Sequence, residues 1–79
     1  MQTKALTKQN IKRLEWLGIY IRELRRNQGM TQKNLCEELN LDPKTLIRAE
    51  AGKNITLLTA FEIADALNID MKQLFEMLE

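Results

Sequence analysis

The sequence contains no histidine and a single cysteine, Cys36. Because a disulfide needs two thiols and a zinc site needs several His or Cys ligands, neither can form within one chain. A Cys–His nucleophilic pair is excluded for the same reason. The chain also lacks an apolar run near the roughly 18 residues that a membrane span requires. We therefore expect no metal, no cofactor and no membrane association.

Proline and glycine are scarce as well, with one and three residues, and all four stand where they can end or begin helices. No alternating run of β-branched and polar residues predicts a strand. Carboxylates are the remaining candidates for acid–base catalysis, but Glu37, Glu38, Asp65 and Asp70 fall where solvated helix faces and helix caps are expected. The sequence therefore predicts an all-α protein that is not an enzyme.

With 79 residues, 44% hydrophobic and 29% charged, the chain fits one small folded domain without room for a small-molecule site. The formal charge of +1 is unevenly distributed. Residues 1–34 carry eight of the twelve Lys and Arg but two of the eleven Asp and Glu. This asymmetry indicates a positive surface that can meet phosphate, although it can also serve solubility alone. We expect a cytoplasmic protein.

Apolar spacing predicts five helices in one domain over residues 8–79, after a flexible basic arm over residues 1–7. The predicted helices span residues 8–28, 32–39, 43–51, 57–67 and 71–78. Their start signals are Thr7, Thr31, Asp42 with Pro43, Thr56 and Asp70. Asn34 in place of Glu leaves the capping box after Thr31 incomplete, whereas Asp70 and Gln73 fit one.

The buried faces of the first and fourth helices follow from apolar residues spaced three and four apart. These are Leu14, Leu17, Ile21 and Leu24 in the first helix, and Leu57, Ala60, Phe61, Ala64 and Leu67, with Ile63 alongside, in the fourth. Trp16 lies off the first stripe. We expect it to pack against the arm or a second subunit, or to be partly buried on its own molecule.

Residues 29–52 encode two short helices joined by a tight turn, with polar and basic side chains on the outer face of the second. Such an arrangement places a helix in the major groove of DNA. At fixed spacing the chain carries Leu17-Gly18, Ile21-Arg22, Leu24-Arg25, Gly29-Met30-Thr31-Gln32, Leu35, Leu46, Glu50, Gly52-Lys53, Ala64, Ala66-Leu67 and Leu74-Phe75. This pattern resembles the phage-repressor helix-turn-helix family of the Xre or Cro type.

Within that family, the small controller proteins of restriction-modification systems are most similar. The similarity lies in Asn40-Leu41-Asp42 before the recognition helix and in Asn54-Ile55-Thr56-Leu57-Leu58 after it. The resemblance implies a five-helix, lambda-repressor-like DNA-binding domain.

The resemblance further implies that the third helix, residues 43–51, enters the major groove. Lys44 and Arg48 would donate to guanine, Thr45 would donate, accept or touch a thymine methyl, and Ile47 would make apolar contact. Pro43 stands where the family often has a base-reading amide, so base reading shifts to Lys44, Thr45 and Arg48. If Lys44 and Arg48 touch only phosphates, binding would have affinity without sequence discrimination.

Contacts to the DNA backbone are implied at the start of the second helix and around the start of the fourth. The expected phosphate-binding residues are Gln32, Asn34, Lys53, Asn54 and Thr56, with Lys4 and Lys8 on the arm. Backbone N–H groups near Gln32 would help to bind phosphate, and its side chain is placed to brace the third helix.

Four other positions follow from the family pattern. Arg25 and Glu50 match the family's pair that links the first helix to the end of the third and would fix its docking angle. Ala49 stands where the family often has a larger apolar residue, so we expect Phe61 to fill the space. Cys36 replaces the usual Ala and is expected to be a small buried residue rather than a redox sensor.

A dimer interface is implied at Leu58, Phe75, Met77 and Leu78, because the fourth and fifth helices carry more apolar side chains than one core needs. The implied function is a sequence-specific transcriptional regulator of double-stranded DNA, a repressor or autoregulator, that binds a palindromic operator as a homodimer. The alternative is an antitoxin or protein-interaction adaptor that keeps the fold, has weak or no DNA specificity, and binds a partner protein through its C-terminal helices.

Overall fold

The computed structural model describes residues 7–78, so the predicted arm lies outside this range except for Thr7. Its helices are α1 (Lys8–Asn27), α2 (Gln32–Leu39), α3 (Pro43–Glu50), α4 (Leu57–Leu67) and α5 (Met71–Met77). Residues 7–78 contain no strand, and the predicted all-α fold class is confirmed. None of these five helices is both long and apolar enough to cross a bilayer.

Each helix begins at a side chain that accepts a hydrogen bond from a backbone N–H of its own first turn. Thr7, Thr31 and Thr56 accept from the amide three residues ahead, at 3.1, 3.0 and 3.1 Å. Asp42 and Asp70 accept from the amide two residues ahead, at 2.9 and 3.0 Å. The start of every helix is therefore encoded locally.

Helices α1, α3 and α5 each end one residue earlier than the sequence predicts. Gln28, Ala51 and Leu78 are C-caps: their N–H groups donate back into the helix, but they lie beyond its last helical residue. Helices α2 and α4 are followed by Asn40 and Asn68, whose φ angles of 51° and 58° lie in the left-handed region that Asn tolerates.

Both predictions about capping boxes are wrong. Asn34 completes the box at α2, because its Oδ1 accepts from the Thr31 N–H at 3.1 Å while the Thr31 hydroxyl accepts from the Asn34 N–H. An amide oxygen thus takes the place of the usual glutamate or glutamine oxygen. At α5, Asp70 accepts from the Lys72 N–H instead of forming a box with Gln73.

The hydrophobic core lies among the first four helices. Its buried members are Ile21 of α1, Leu35 and Cys36 of α2, Leu46 and Ala49 of α3, and Ile63 and Leu67 of α4. The predicted stripe of α1 faces this core, but Leu14, Leu17 and Leu24 are half-buried and Ile21 alone is fully enclosed. Helix α5 contributes one buried residue, Leu74.

The predicted inner face of α4 is wrong in two positions. Leu57 and Phe61 are exposed, whereas Ile63, Ala64 and Leu67 are buried. The helix has apolar residues on more than one side, and its packing selects the face that is centred on Ile63. Phe61 therefore remains available on the surface.

Phe61, which is predicted to fill the space beside Ala49, is exposed, and α1 approaches the end of α3 very closely. A Cβ atom at Gly18 would lie 2.6 Å from the Ala49 carbonyl oxygen and 2.7 Å from that of Glu50. These distances are shorter than van der Waals contact, so only glycine fits at this crossing.

Trp16 is 63% exposed. Together with Tyr20, Leu74, Met77 and Leu78 it lines a small apolar groove of about 180 Å³ between α1 and α5. Within residues 7–78 this side chain borders the groove but is mostly exposed, and the predicted contacts with the arm or a second subunit lie outside the described residues.

Candidate nucleic-acid interface

Helix α3 presents one continuous face to solvent. Leu46 and Ala49 are buried and anchor the opposite side of the helix. Three of the predicted base-reading residues, Lys44, Ile47 and Arg48, are exposed, while Thr45 is half-buried beside them. The helix thus offers two cations, one apolar side chain and one hydroxyl on a surface two turns long.

At the start of α3 the backbone donors are already satisfied. Pro43 carries no N–H, and Asp42 Oδ1 accepts the N–H of Lys44 at 2.9 Å. Within residues 7–78 the side chains of Lys44 and Arg48 make neither a hydrogen bond nor an ion pair. Both cations are therefore available to a ligand outside this chain.

The carboxylate of Glu50, the last residue of α3, joins the first three helices. It accepts from Arg25 Nε at 2.7 Å on Oε2 and from Arg25 Nη2 at 2.9 Å on Oε1. Gln32 Nε2 donates to the same Oε1 at 3.0 Å. The third nitrogen of the guanidinium, Nη1, donates to the Met30 carbonyl at 2.8 Å. The angle between α2 and α3 is thereby fixed from the side of α1.

This network is enclosed. The two charged residues are only 6% and 7% exposed, and the bidentate geometry satisfies both partners. Its hydrogen bond to Glu50 raises the pKa of Arg25, with burial acting in the opposite direction. The guanidinium of Arg25 therefore stays charged over the range in which proteins fold.

Four residues from the predicted DNA-contact set come together at the C-terminal side of α3. Thr45 and Arg48 line a shallow concavity of about 530 Å³ with Asn54, Ile55, Thr56 and Thr59. The Thr56 hydroxyl is already engaged, because it accepts the Thr59 N–H at 3.1 Å and donates to the Thr59 hydroxyl at 2.9 Å. Lys53 is exposed in the same loop.

At the N-terminal end of α2, two predicted phosphate ligands use part of their capacity within the protein. The Gln32 amide nitrogen donates to Glu50, and the Asn34 oxygen accepts from Thr31. The backbone N–H groups of Gln32 and Lys33 have no intrahelical acceptor, because they belong to the first turn. These backbone amides are free donors at this end, and the second N–H of the Gln32 side chain is free as well.

Sequence reasoning missed two cations beside this helix end. Arg22 and Arg26 of α1 line an open concavity of about 470 Å³ with Thr31, Gln32 and Ile47. The signal that could have found them is their four-residue spacing on one face of α1, within the basic first part of the chain.

Cys36 lies in the core between α2 and its neighbours and is 3% exposed. Burial raises the pKa of its thiol. A neutral, enclosed thiol is a poor nucleophile, which matches the expected structural role. No group of three or more His, Cys, Asp or Glu side chains among residues 7–78 could hold a metal ion.

The residues predicted for a dimer interface are largely solvent-facing. Leu58 is 67% exposed, Phe75 and Met77 are exposed, and Leu78 is half-buried. Met77 and Leu78 border the groove beside Trp16, whereas Leu58 lies on α4 and is not part of that groove.

A family model described as helix-turn-helix, HTH_3, matches residues 21–74, more than half of the chain. An HTH-type transcriptional regulator of Archaeoglobus fulgidus is 38% identical over 56 residues, which are 70% of this chain and 80% of that protein. The crystal structure of a Tyr-to-Phe mutant of the restriction-modification controller protein C.Esp1396I superposes with a TM-score of 0.71. The sequence identity is 30%, and the superposition covers 84% of this chain and 85% of the controller protein's chain.

These similarities span the helices that hold the exposed face of α3 and the Arg25–Glu50 pair. The chain belongs to the HTH_3 helix-turn-helix family and is an Xre-type DNA-binding transcriptional regulator rather than an enzyme.

Proposed function

We propose that this regulator binds a palindromic operator as a homodimer, inserting α3 of each subunit into the major groove to repress transcription or control its own gene. The observation that carries the proposal is the outer face of α3, where Lys44 and Arg48 are exposed and make no hydrogen bond or ion pair within residues 7–78.

Base reading is assigned to the four outward residues of α3. The fork of Arg48 can donate to the O6 and N7 atoms of guanine, and Lys44 lies one turn earlier on the same face. Ile47 between them can contact a thymine methyl group. Pro43 supplies no donor at the helix start, so we expect the least discrimination at the base pair nearest to it.

Backbone contacts are assigned to both ends of the α2–α3 unit. Lys53, Asn54 and Thr56 lie next to Arg48 on one side, and the first turn of α2 with Gln32 and Asn34 lies on the other. Because Gln32 is held by Glu50, phosphate binding by the adjacent amides would be transmitted to the position of α3. Such contacts set register rather than sequence preference.

Dimerisation is supported by exposed apolar side chains at the C-terminal end of the molecule, including Leu58 and Phe75. One recognition helix has a small footprint, so two helices about 34 Å apart would read two half-sites. From the proposed binding to chromosomal DNA we infer a cytoplasmic location.

The experiment is a selection of bound duplexes from a random pool, followed by affinity measurements on the sequence that emerges. Arg48→Ala and Lys44→Ala are each expected to lower affinity for the selected site about 5- to 100-fold and to relax preference at one base pair per half-site. The matched control is Lys12→Ala, which removes an exposed cation near the start of α1, away from the residues proposed to contact DNA.

Recovery of a palindrome supports the proposal, and loss of preference in the α3 variants but not in the control assigns the readers. If no preferred sequence emerges, the operator-binding proposal is wrong. The antitoxin or adaptor function would then be the one to pursue through the apolar C-terminal helices.

A further inference from the structure

The concavity that contains Arg22 and Arg26 is bounded by three helices. Both arginines come from α1, Thr31 and Gln32 begin α2, and Ile47 belongs to the outward face of α3. The space of about 470 Å³ is open to solvent. It therefore lies at the edge of the surface that α3 offers to DNA.

The charge in this concavity is not balanced by the protein. Its lining includes three arginines and one carboxylate, and Arg25 is already paired with that carboxylate, Glu50. Within residues 7–78, Arg22 and Arg26 make no ion pair and no side-chain hydrogen bond. Two positive charges remain without an anion.

Arg22 adds a second, independent sign of a missing partner. Its Nε atom is buried and has no acceptor among the described residues. Native proteins rarely leave such a donor unpaired, because the desolvated group loses its hydrogen bond to water. An acceptor from outside the chain would complete the guanidinium.

The free N–H groups at the start of α2 point to the same kind of ligand. The positive end of a helix and its unpaired amides favour an anion, and a guanidinium fork matches the paired oxygens of a phosphate. Ile47 also lines the concavity, so an anion bound there would lie beside the face of α3 that is proposed to enter the major groove.

We propose that Arg22 and Arg26 grip one phosphodiester group of the DNA strand that borders the major groove occupied by α3. The inference rests on the proposed operator binding and extends it by a clamp on α1. The clamp contributes affinity and register without reading sequence.

The test compares Arg22→Gln, Arg26→Gln and the double variant with Lys12→Gln, which removes the same charge from the same helix about 15 Å away along its axis. Affinity for the selected operator and for a random-sequence duplex is measured from 50 to 200 mM salt. Losing one phosphate contact lowers the salt slope by about 0.9, so the ratio of the affinities at 50 and 200 mM salt changes about 3-fold.

We expect the double variant to lose about one unit of slope on both duplexes, with unchanged base preference, and Lys12→Gln to behave like wild type. Arg22→Lys, which keeps the charge, should retain most of the slope. Urea unfolding confirms that each variant is folded. A double variant whose slope equals that of Lys12→Gln overturns the clamp.

The random duplex separates this inference from the proposed function. If wild-type protein prefers no operator sequence but the double variant still loses slope, the clamp stands and operator binding fails. If the palindrome is recovered but the slope is unchanged, operator binding stands and the clamp fails. Binding of inorganic phosphate with an unchanged DNA slope likewise overturns it.

Discussion

At the scale of single residues, Glu50 links three helices through one carboxylate. Its two oxygens receive three donors from two other helices, which nearly fills the capacity of a carboxylate. Removing it would leave the buried guanidinium of Arg25 without its counter-charge and would release the Gln32 amide. Stability and the docking angle of α3 therefore depend on the same side chain.

We expect Glu50→Ala to lower the free energy of unfolding by about 3 kcal/mol, because one partner of a buried pair is stranded. Urea unfolding at fixed protein concentration measures the change. Glu76→Ala, which removes an exposed carboxylate from α5, is the control and should change stability by less than about 0.5 kcal/mol. A wild-type midpoint for Glu50→Ala would contradict the importance of the pair.

Cys36 makes stability depend on pH in the alkaline range. Burial raises the pKa of its thiol, so at alkaline pH the unfolded chain loses this proton before the folded one does. The stability that the protonated thiol contributes is fully present at neutral pH. It is lost as pH rises above the ordinary thiol range, by up to about 1.4 kcal/mol per pH unit. Urea unfolding from pH 7 to 10 should show that the free energy of unfolding declines less in Cys36→Ala than in wild type. Equal slopes would contradict this assignment.

At the scale of helices, α2 and α3 have eight residues each, too few to be stable alone in water. Local caps determine where they begin, and packing against α1 determines whether they persist. The helix crossing at Gly18 is the closest approach at any of the three glycines: a Cβ atom there would lie 2.6 to 2.9 Å from backbone atoms at the end of α3. Backbone cannot move aside as a side chain can.

We expect Gly18→Ala to destabilise the protein by about 2 kcal/mol, although alanine favours an isolated helix by about 1 kcal/mol. Gly29→Ala is the matched control. It has a φ of 71° but no atom within 4 Å of the added Cβ, so it should cost only about 1 kcal/mol of backbone strain. Thermal unfolding of both variants measures this difference. A Gly18→Ala protein as stable as wild type would show that the helix crossing tolerates a methyl group.

At the scale of the whole molecule, the two proposed functional surfaces use different helices. The cations of the proposed DNA surface come from α1 and α3, whereas the exposed apolar residues of the proposed dimer surface, Leu58, Phe75 and Met77, lie on α4 and α5. This separation suits a DNA-binding dimer, because charged residues are depleted from the cores of protein–protein interfaces and cationic residues are enriched where a protein binds phosphate.

For the proposed dimer, sedimentation equilibrium should give a mass near that of two 9.2 kDa chains at tens of micromolar. Leu58→Glu and Phe75→Glu should each shift the equilibrium toward monomer, because a charge is expensive in an apolar interface. Ile19→Glu, at an exposed apolar residue of α1, is the control and should leave the mass unchanged. Wild-type monomers, or dimers in both interface variants, would contradict the proposed surface.

The sequence by itself determined the number of helices, their starting residues and most of the core. These features depend on signals within a turn or two: a capping Thr or Asp, an Asn that tolerates positive φ, and apolar residues spaced three and four apart. The outward position of Lys44, Ile47 and Arg48 follows from the same local period once Leu46 is buried.

Only the tertiary structure decided which side of α4 is buried, how closely α1 crosses α3 at Gly18, and which groups meet Glu50. It also decided that Arg22 and Arg26 share a concavity with Ile47, more than twenty residues away in the chain. Apolar periodicity says that a helix has an inner face, but competing faces and the contacts between distant helices are resolved only when all of them pack together.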